Sequence, residues 1–319
     1  MSQQSQLKYP HRPIATLATL SIALRMPVAD LQGLADRAEK LYRNAKPIPK
    51  SDGTFRQPVD ALEPLKSLHR RIKSSFFAHV VFPDYLTGSI KGRDATRNAN
   101  LHAGQAIVVC EDIEKFFPST TIALVYEIWS GFFGFAPEVA SLLARLTTKN
   151  GRLPEGAITS SYLANLVFWK HESVLQESLK AQGIVYSRYV DDITFSAARR
   201  LLASEITGTI AKIYGMLSSL GYRAKRQKHQ IMRGHDRMIV TKLVINERTA
   251  LTADERQAIR AAVFQLECEV DRDGFTAELA VRCNSVAGRV GRLRRLHPSE
   301  GAALKTRLRK LRNSEFSQA

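Results

Sequence analysis

The sequence has little cysteine and no close cysteine pair. Its 319 residues contain three cysteines, Cys110, Cys268 and Cys283, and none shares a CxxC spacing with another. This wide spacing argues against a zinc ribbon and a disulfide framework, and it is typical of proteins in a reducing compartment. We therefore interpret the thiols as small buried hydrophobic groups and expect a cytoplasmic protein.

Long apolar segments are also missing. No run approaches the roughly eighteen apolar residues that a membrane-spanning helix needs. Residues 14–24 have the length of the apolar part of a secretion signal, but threonine and serine interrupt them, and Arg25-Met26-Pro27 follows in place of small residues. We interpret this stretch as an amphipathic N-terminal element and expect no association with a membrane.

Acidic residues are scarce relative to basic ones. Thirty Asp and Glu stand against 47 Lys and Arg, which gives a net charge of +17 and a pI near 10.0. Such an excess favours a polyanionic partner, more often nucleic acid than an anionic membrane surface. With 44% hydrophobic residues, the chain still has the composition of a folded protein and is not mostly disordered.

The excess of positive charge is concentrated near the end of the chain. Only Glu300 and Glu315 are acidic in the last 38 residues. The basic residues of this segment are Arg282, Arg289, Arg292, Arg294, Arg295, Lys305, Arg307, Arg309, Lys310 and Arg312. Arg289, Arg292 and Arg295 recur at the spacing of one helix face, which can follow a phosphate backbone. Because a solvated face normally mixes both signs of charge, we predict a nucleic-acid-binding surface.

Strand-like and helix-like segments alternate along most of the chain. Short apolar runs bounded by polar turns predict strands, and apolar residues three and four apart predict helices. The predicted strands are 55–59, 106–110, 184–189, 193–197 and 238–245, and the predicted helices include 27–43, 62–77, 160–178 and 201–220. Residues from Thr252 onward are rich in helical patterns. We predict an α+β core followed by a mostly helical tail.

Three carboxylates lie at the ends of predicted strands. Asp112 follows the strand at 106–110, and Asp191 and Asp192 form the turn of a predicted hairpin. Carboxylates at such positions suit two Mg²⁺ ions roughly 3.5–4 Å apart, which stabilise both the attacking and the leaving oxygen of a phosphoryl transfer. Asp-Asp pairs are also common in ordinary turns, so the spacing alone leaves a purely structural role open.

The context of these carboxylates resembles that of reverse transcriptases. Residues 189–192, YVDD, resemble the YxDD box, and residues 112–117, DIEKFF, resemble the first catalytic motif, an aspartate followed by two aromatic residues. Residues 153–161 and 163–166, LPEGAITSS and LANL, resemble the motif LPQGxxTSP…LxNL. All three motifs occur in the family's order.

Further motifs resemble those of the bacterial retron-type enzymes. Residues 48–56, IPKSDGTFR, resemble the fingers motif IPKxxGxxR, and residues 98–102, NANLH, resemble the NAxxH box. Val240-Thr241-Lys242 lies where these enzymes usually carry Val-Thr-Gly, and residues 288–298 resemble part of their thumb. The resemblance extends from about residue 25 to residue 312.

This resemblance implies a right-hand polymerase fold, with N-terminal helices and fingers at 1–105, a palm at 106–248 and a basic helical thumb at 249–319. It implies an RNA-directed DNA polymerase, in which a primer hydroxyl attacks the α-phosphate of a dNTP with the help of two Mg²⁺ ions. Mn²⁺ is a possible substitute. We expect no RNase H domain after the thumb, so a host RNase H would remove the template.

The resemblance also implies roles for individual residues. Asp112, Asp191 and Asp192 would be catalytic and would bind the metal ions, together with the backbone carbonyl of Ile113. The residues implied to bind the nucleotide are Lys50 and Arg56 at the triphosphate, Phe117 under the sugar, Glu155 and Gly156 along the pocket, and Lys228 near the pyrophosphate. The residues implied to bind RNA are Asn98, His102, Val240, Thr241, Lys242, Arg289, Arg292 and Arg295.

Several of these residues also allow a structural interpretation. His102 suits a satisfied buried histidine as well as an RNA contact. At least one of Phe116 and Phe117 is expected in the core, and Lys50 with Arg56 also suits a solvated hairpin face.

The sequence departs from the family's motifs at a few positions. Glu155 replaces glutamine beside the triphosphate pocket, so we expect weaker nucleotide binding unless a lysine or arginine pairs with it. Ile158 and Ser161 replace prolines, and Lys242 replaces glycine, which leaves the RNA contact of that triplet open. Because none of these changes affects the aspartates, we expect an active enzyme.

The retron resemblance implies a dedicated structured RNA that serves as template and primer. Synthesis would start from the 2′-hydroxyl of a guanosine and yield RNA-linked single-stranded DNA. A role in anti-phage defence, with a separately encoded effector protein, is implied as well. Two alternatives stay open on the sequence: another bacterial reverse transcriptase, of a group II intron-like or defence class, and a catalytically weak RNA-binding scaffold.

Overall fold

Short helices and two small antiparallel sheets form the N-terminal part of the computed structural model, which describes residues 6–49 and 53–314. The elements are α1 (Leu17–Leu24), α2 (Val28–Arg37), β1 (Tyr42–Asn44), β2 (Ile48–Pro49), β3 (Phe55–Arg56), β4 (Val59–Ala61), α3 (Leu65–Ser75) and α4 (Ala95–Asn100). β1 pairs with β4, and β2 pairs with β3. The Thr16 hydroxyl caps α1 and the Asp94 carboxylate caps α4, each by accepting a backbone N–H of the first turn.

The helix predicted over 27–43 is wrong at its C-terminal end. α2 ends at Arg37, a 3₁₀ turn covers Ala38–Leu41, and the chain then enters β1. Tyr42 lies opposite Ala61 in the β1–β4 pair and is buried there. Pairing with a distant strand thus overrides the helical periodicity of the local sequence.

A four-stranded antiparallel sheet lies at the centre of the fold, in the order β6–β7–β5–β8. The elements of this region are β5 (Ile107–Asp112), α5 (Phe116–Ser119), α6 (Ile122–Glu127), α7 (Pro137–Thr147), α8 (Ser160–Leu166), α9 (Glu172–Ala181), β6 (Val185–Tyr189), β7 (Asp192–Ala197), α10 (Ala203–Ser219), β8 (Gln230–Arg233), β9 (Ile239–Val240) and β10 (Leu243–Val244). The hairpin predicted at 184–197 is confirmed as β6 and β7.

Three features of this region differ from the predictions. β5 runs two residues beyond the predicted end, because Glu111 and Asp112 continue the pairing with β7. The helix predicted over 160–178 is two helices, α8 and α9. The strand predicted over 238–245 is a hairpin, β9 and β10, whose turn residues Thr241 and Lys242 have φ values of 47° and 64°.

Three long helices form the C-terminal part, as the tail pattern predicted. They are α11 (Ala253–Asp273), α12 (Ala277–Leu296) and α13 (Pro298–Ser314). The hydroxyls of Thr252 and Thr276 cap α11 and α12. Pro298 is the first residue of α13, a position where its missing N–H costs no hydrogen bond.

Two hydrophobic clusters cover opposite faces of the central sheet. Ile107 and Val109 of β5 belong to the cluster shared with the N-terminal and central helices. Val108, between them, belongs to the cluster shared with β9, β10 and the three C-terminal helices. This alternation is the period of a strand buried on both faces, and it joins the C-terminal helices to the sheet.

The structure shows where the three cysteines lie and whether any helix could span a membrane. Cys283 is buried and Cys110 is half-buried, but Cys268 is exposed on α11, so the prediction of a buried thiol is wrong at that position. Among the residues that the structure describes, no helix is long and apolar enough to cross a membrane.

The contact between α12 and α13 requires a residue without a side chain at position 301, which is Gly301. A Cβ at Gly301 would overlap the backbone of Arg294, whereas a Cβ at Gly288 on α12 would meet nothing within 4 Å. We predict that Gly301→Ala lowers the free energy of unfolding by about 1–3 kcal/mol through overpacking. Gly288→Ala, the matched control, should raise it by about 0.5–1 kcal/mol through helix propensity. Urea denaturation measures both, and a neutral Gly301→Ala would contradict the packing.

Candidate active site

The register of the central sheet brings the three predicted aspartates together. Asp112, the last residue of β5, lies opposite Asp192, the first residue of β7. Asp191 occupies the turn between β6 and β7, and its backbone carbonyl accepts a 2.9 Å hydrogen bond from the N–H of Ile113. Carboxylates far apart in the sequence therefore share one end of two neighbouring strands.

The turn that carries Asp191 is strained and tightly enclosed. Val190 has a φ of 62°, a left-handed conformation that β-branched residues rarely adopt. Gly88 packs directly against it, since a Cβ there would lie 2.5 Å from the backbone nitrogen of Val190. The carbonyl of Gly88 accepts a 2.8 Å hydrogen bond from the side-chain amide of Asn165. A strained turn persists where its surroundings fix it, and the LANL segment contributes to those surroundings.

A fully buried ion pair lies beneath this turn. Arg188 of β6 donates to both carboxylate oxygens of Glu172, at 2.6 and 2.8 Å, and neither side chain is exposed to solvent. The same guanidinium donates 3.0 Å hydrogen bonds to the backbone carbonyls of Val190 and Asn165. Its carbon lies 5.2 Å from the ring centroid of Phe168. This pair was not predicted from the sequence. An arginine inside an otherwise strand-like run next to YVDD was the available signal.

The charges of Asp191 and Asp192 are poorly compensated. Burial, followed by repulsion from Asp191 and Asp112, raises the pKa of Asp192 to about 7. Burial also raises the pKa of Asp191, where the charge of Asp112 adds to the effect and the charges of Arg56 and Lys228 oppose it. Carboxylates that repel one another in a buried site are suited to a cation.

The donor chemistry fits a hard divalent cation, which prefers carboxylate and carbonyl oxygens. Within residues 6–49 and 53–314, however, no group of three or more His, Cys, Asp or Glu side chains converges closely enough to hold a metal ion as they stand. The ammonium of Lys228 contacts Oδ1 of Asp112. Positive charge beside Asp112 is therefore supplied by this lysine in the structure.

Another acidic residue of β5, Glu111, holds the segment that carries Lys228 in position. Glu111 is buried, and its carboxylate accepts a 2.9 Å hydrogen bond from the Tyr214 hydroxyl and lies 2.6 Å from Nδ1 of His229. The backbone N–H of Lys225 donates to the carbonyl of Asp112 at 2.7 Å. Glu111 was missed by the sequence analysis because the predicted strand ended at Cys110. A charged residue continuing an apolar strand was the available signal.

Four of the predicted nucleotide-binding residues lie together where the N-terminal hairpins approach the turn before α8. Nε of Arg56 lies 2.5 Å from Oε2 of Glu155, and the Arg56 guanidinium carbon lies 5.9 Å from the ring centroid of Phe117. Gly156 has a φ of 110°, and a Cβ there would lie 2.5 Å from the carbonyl oxygen of Val59. Lys50 lies outside the described residues. Both Phe116 and Phe117 are buried.

Asn98 and His102, which the resemblance implied to bind RNA, lie inside the fold. Both are completely buried. His102 lies 2.7 Å from the hydroxyls of both Ser187 and Ser196, and the Ser187 hydroxyl donates to Oδ1 of Asn98 at 2.8 Å. Side chains enclosed in this way cannot reach RNA, and they instead brace β6 and β7 from behind. Burial, chiefly, lowers the pKa of His102 to about 3, so it stays neutral.

The triplet 240–242 is divided between the core and the surface. Val240 is buried among the hydrophobic residues shared with the C-terminal helices, so its side chain is likewise out of reach of RNA. The Thr241 hydroxyl donates to the carbonyl of Ala95 at 2.9 Å. Lys242 is exposed, and its charge counters the rise in the pKa of Asp192. The lysine that replaces glycine thus lies on the side of the aspartates.

The predicted arginine face of α12 is partly neutralised. Arg292 pairs with Glu255, and Arg295 pairs with Asp94. Other cations line a pocket of about 240 Å³ between α12 and α13: Arg294, Lys305, Arg309 and Arg312. Among the residues that the structure describes, no carboxylate lines this pocket. Positive charge available to a polyanion therefore also lies outside the predicted face. The partners of Arg292 and Arg295 are distant in sequence, so the charge pattern alone could not show them.

The known proteins that this chain resembles are reverse transcriptases. The family model described as reverse transcriptase (RNA-dependent DNA polymerase) matches residues 48–261. The retron Se72 reverse transcriptase of Salmonella heidelberg (strain 579083-10) is 31% identical over 288 residues, covering 89% of this chain and 76% of that protein. The retron Ec48 reverse transcriptase of Escherichia coli is 28% identical over 315 residues, covering 94% of this chain and 77% of that protein.

Solved structures of telomerases are also similar. A telomerase from Candida albicans, in complex with a fragment of telomeric RNA, matches 87% of this chain and 64% of that chain with a TM-score of 0.48 and 8% identity. This likeness is too weak to add to the assignment.

The chain belongs to the reverse transcriptase family, and within that family to the retron-type enzymes. It is accordingly an RNA-directed DNA polymerase with a right-hand polymerase fold, as the motifs predicted.

The packing of Gly88 against Val190 makes a prediction about activity. Gly88→Ala should leave the protein folded but reduce primer extension by about 100-fold, because the added methyl group displaces the turn that carries Asp191. Gly33→Ala, on α2, is the matched control, since a Cβ there meets nothing within 4 Å. Wild-type extension rates in Gly88→Ala would show that the turn is free to shift.

Proposed function

We propose that this polymerase copies a dedicated structured non-coding RNA into single-stranded DNA that stays linked to the RNA. Synthesis is primed by the 2′-hydroxyl of a guanosine within that RNA. The observation that supports this most is the similarity to retron reverse transcriptases along most of the chain. The grouping of Asp112, Asp191 and Asp192 at one sheet end supports an active enzyme rather than a scaffold.

The proposal includes two Mg²⁺ ions, with Mn²⁺ as a substitute, held by these three aspartates and the carbonyl of Ile113. When bound, the ions supply Lewis-acid stabilisation of the attacking and leaving oxygens. The chain's own contribution is to hold the carboxylates in a partly buried, mutually repulsive arrangement, which favours binding of positive charge.

Binding of the dNTP is assigned to the residues that surround this cluster. Arg56 donates to the triphosphate, with Lys50 as a second cation. The ring of Phe117 lies under the sugar and excludes a 2′-hydroxyl, and Gly156 lets the pocket wall come close. Lys228 donates to the pyrophosphate as it leaves, a role that suits an ammonium already in contact with Asp112.

RNA binding is assigned to exposed cations. Lys242, beside the aspartates, contacts the primer–template near its end, with Thr241 anchoring the hairpin turn. The basic residues of the C-terminal helices, Arg289, Arg292 and Arg295 among them, contact the backbone of the RNA–DNA duplex. A-form duplexes are recognised mainly through phosphates and 2′-hydroxyls, which suits cations without base-reading geometry.

Two other proteins act with the enzyme. A host RNase H removes the copied RNA, and a separately encoded effector protein acts with the RNA-linked DNA in anti-phage defence. The enzyme works in the cytoplasm.

The experiment expresses the chain with its native upstream DNA and separates extracted nucleic acid on a denaturing gel, with and without RNase. We predict a discrete short DNA band that shortens after RNase treatment. The band should vanish in an Asp191→Asn, Asp192→Asn double variant, because amides cannot replace the charge of the carboxylates.

Asp36→Asn is the matched control, because Asp36 pairs with Arg145 at 2.5 Å on α2 and α7, outside the site. It should leave the band unchanged. No band, together with extension of a primer annealed to generic RNA, would indicate a reverse transcriptase of another class. Absence of both products would overturn the assignment of activity.

A further inference from the structure

The ion pair between Arg56 and Glu155 connects two parts of the nucleotide pocket. Arg56 ends β3, and Glu155 lies in the turn before α8, 99 residues later. Their contact of 2.5 Å is half-exposed, with 43% of the arginine and 22% of the glutamate side chain accessible. An incoming triphosphate can therefore reach this arginine from solvent, but finds it already bonded to a carboxylate.

The backbone around Glu155 holds the carboxylate near Arg56. The carbonyl of Glu155 accepts a 2.7 Å hydrogen bond from the N–H of Val59 in β4. The next residue, Gly156, packs so closely on Val59 that a side chain would not fit. Glu155 thus stays beside the N-terminal hairpins when its carboxylate is displaced.

Arg56 also faces the aspartates. Its guanidinium lies over the ring of Phe117, and its charge opposes the rise in the pKa of Asp191. Among the described residues implied to bind the triphosphate, Arg56 is the cation on the side of the N-terminal hairpins. An arginine therefore does pair with Glu155, but it is the arginine implied to bind the triphosphate, so the pair occupies the donor that the nucleotide needs.

Two anions compete for one guanidinium in this arrangement. We propose that Glu155 is an internal competitor of the nucleotide triphosphate for Arg56 and thereby sets the concentration of dNTP that the enzyme requires. Glutamine, the usual residue of the motif that this segment resembles, could hold the guanidinium only through a neutral amide oxygen and would add no charge. This inference rests on the proposed binding of dNTP at Arg56.

Steady-state extension of a DNA primer on an RNA template tests the inference. Glu155→Gln should lower KM for dNTP by about fivefold, the value of a half-exposed ion pair at its upper range, and leave kcat within about twofold. Glu155→Ser is a second variant with the same expectation if the amide does not fold. Glu127→Gln, which breaks the surface pair with Lys170, is the matched control and should change neither constant.

The outcomes separate the inference from the function on which it rests. An unchanged KM in Glu155→Gln would overturn the competition. A higher KM or a large fall in kcat would also overturn it and would make Glu155 a positioning residue for Arg56. If wild-type protein extends no primer under any condition, the proposed function itself fails. An active wild type with an unaffected variant overturns the inference alone.

Discussion

The active site depends on one ion pair that has no access to water. A buried arginine is tolerated only where its charge and its N–H groups are satisfied, and Arg188 meets this requirement through Glu172 and the carbonyls of Val190 and Asn165. These partners belong to α9, to the aspartate turn and to α8. Loss of either charge would leave the other unpaired in the core. The requirement to satisfy Arg188 therefore fixes the position of the turn relative to two helices.

The sheet sets the relative positions of the aspartates, and the residues around the turn hold it in a strained conformation. Antiparallel register places Asp112 against Asp192, while the left-handed Val190 and the enclosing Gly88 set the direction of Asp191. Behind the strands, His102 and Asn98 satisfy the hydroxyls of Ser187 and Ser196. An enclosed network of polar side chains thus holds the strands in place against the repulsion among these partly buried carboxylates.

Sequence patterns were sufficient for the elements whose information is local. The apolar run before Asp112, the YVDD hairpin and the helical tail follow from short-range periodicity, and ordered motifs predicted the family. The hairpin of β9 and β10 was missed because its turn, Thr241-Lys242, lacks the glycine or asparagine that usually marks positive φ.

The ion pairs between residues distant in sequence could not be predicted. Arg295 finds Asp94 about two hundred residues earlier, and Arg188 finds Glu172 on another element, so neither pairing appears in any charge pattern. The polar residues of the NANLH segment look the same in sequence whether they contact RNA or brace a sheet. Burial, which only the fold determines, decides between the two.

The most direct test of this account is hydrogen–deuterium exchange on Glu172→Gln, which keeps the side-chain volume but removes one buried charge. We predict that amides of residues 189–193, and the Ile113 N–H that bonds to Asp191, exchange at least about tenfold faster than in wild type. Amides of α12 should keep their wild-type rates. Equal exchange of the turn in both proteins, or uniform acceleration throughout the chain, would contradict the claim that the buried pair holds the aspartate turn in place.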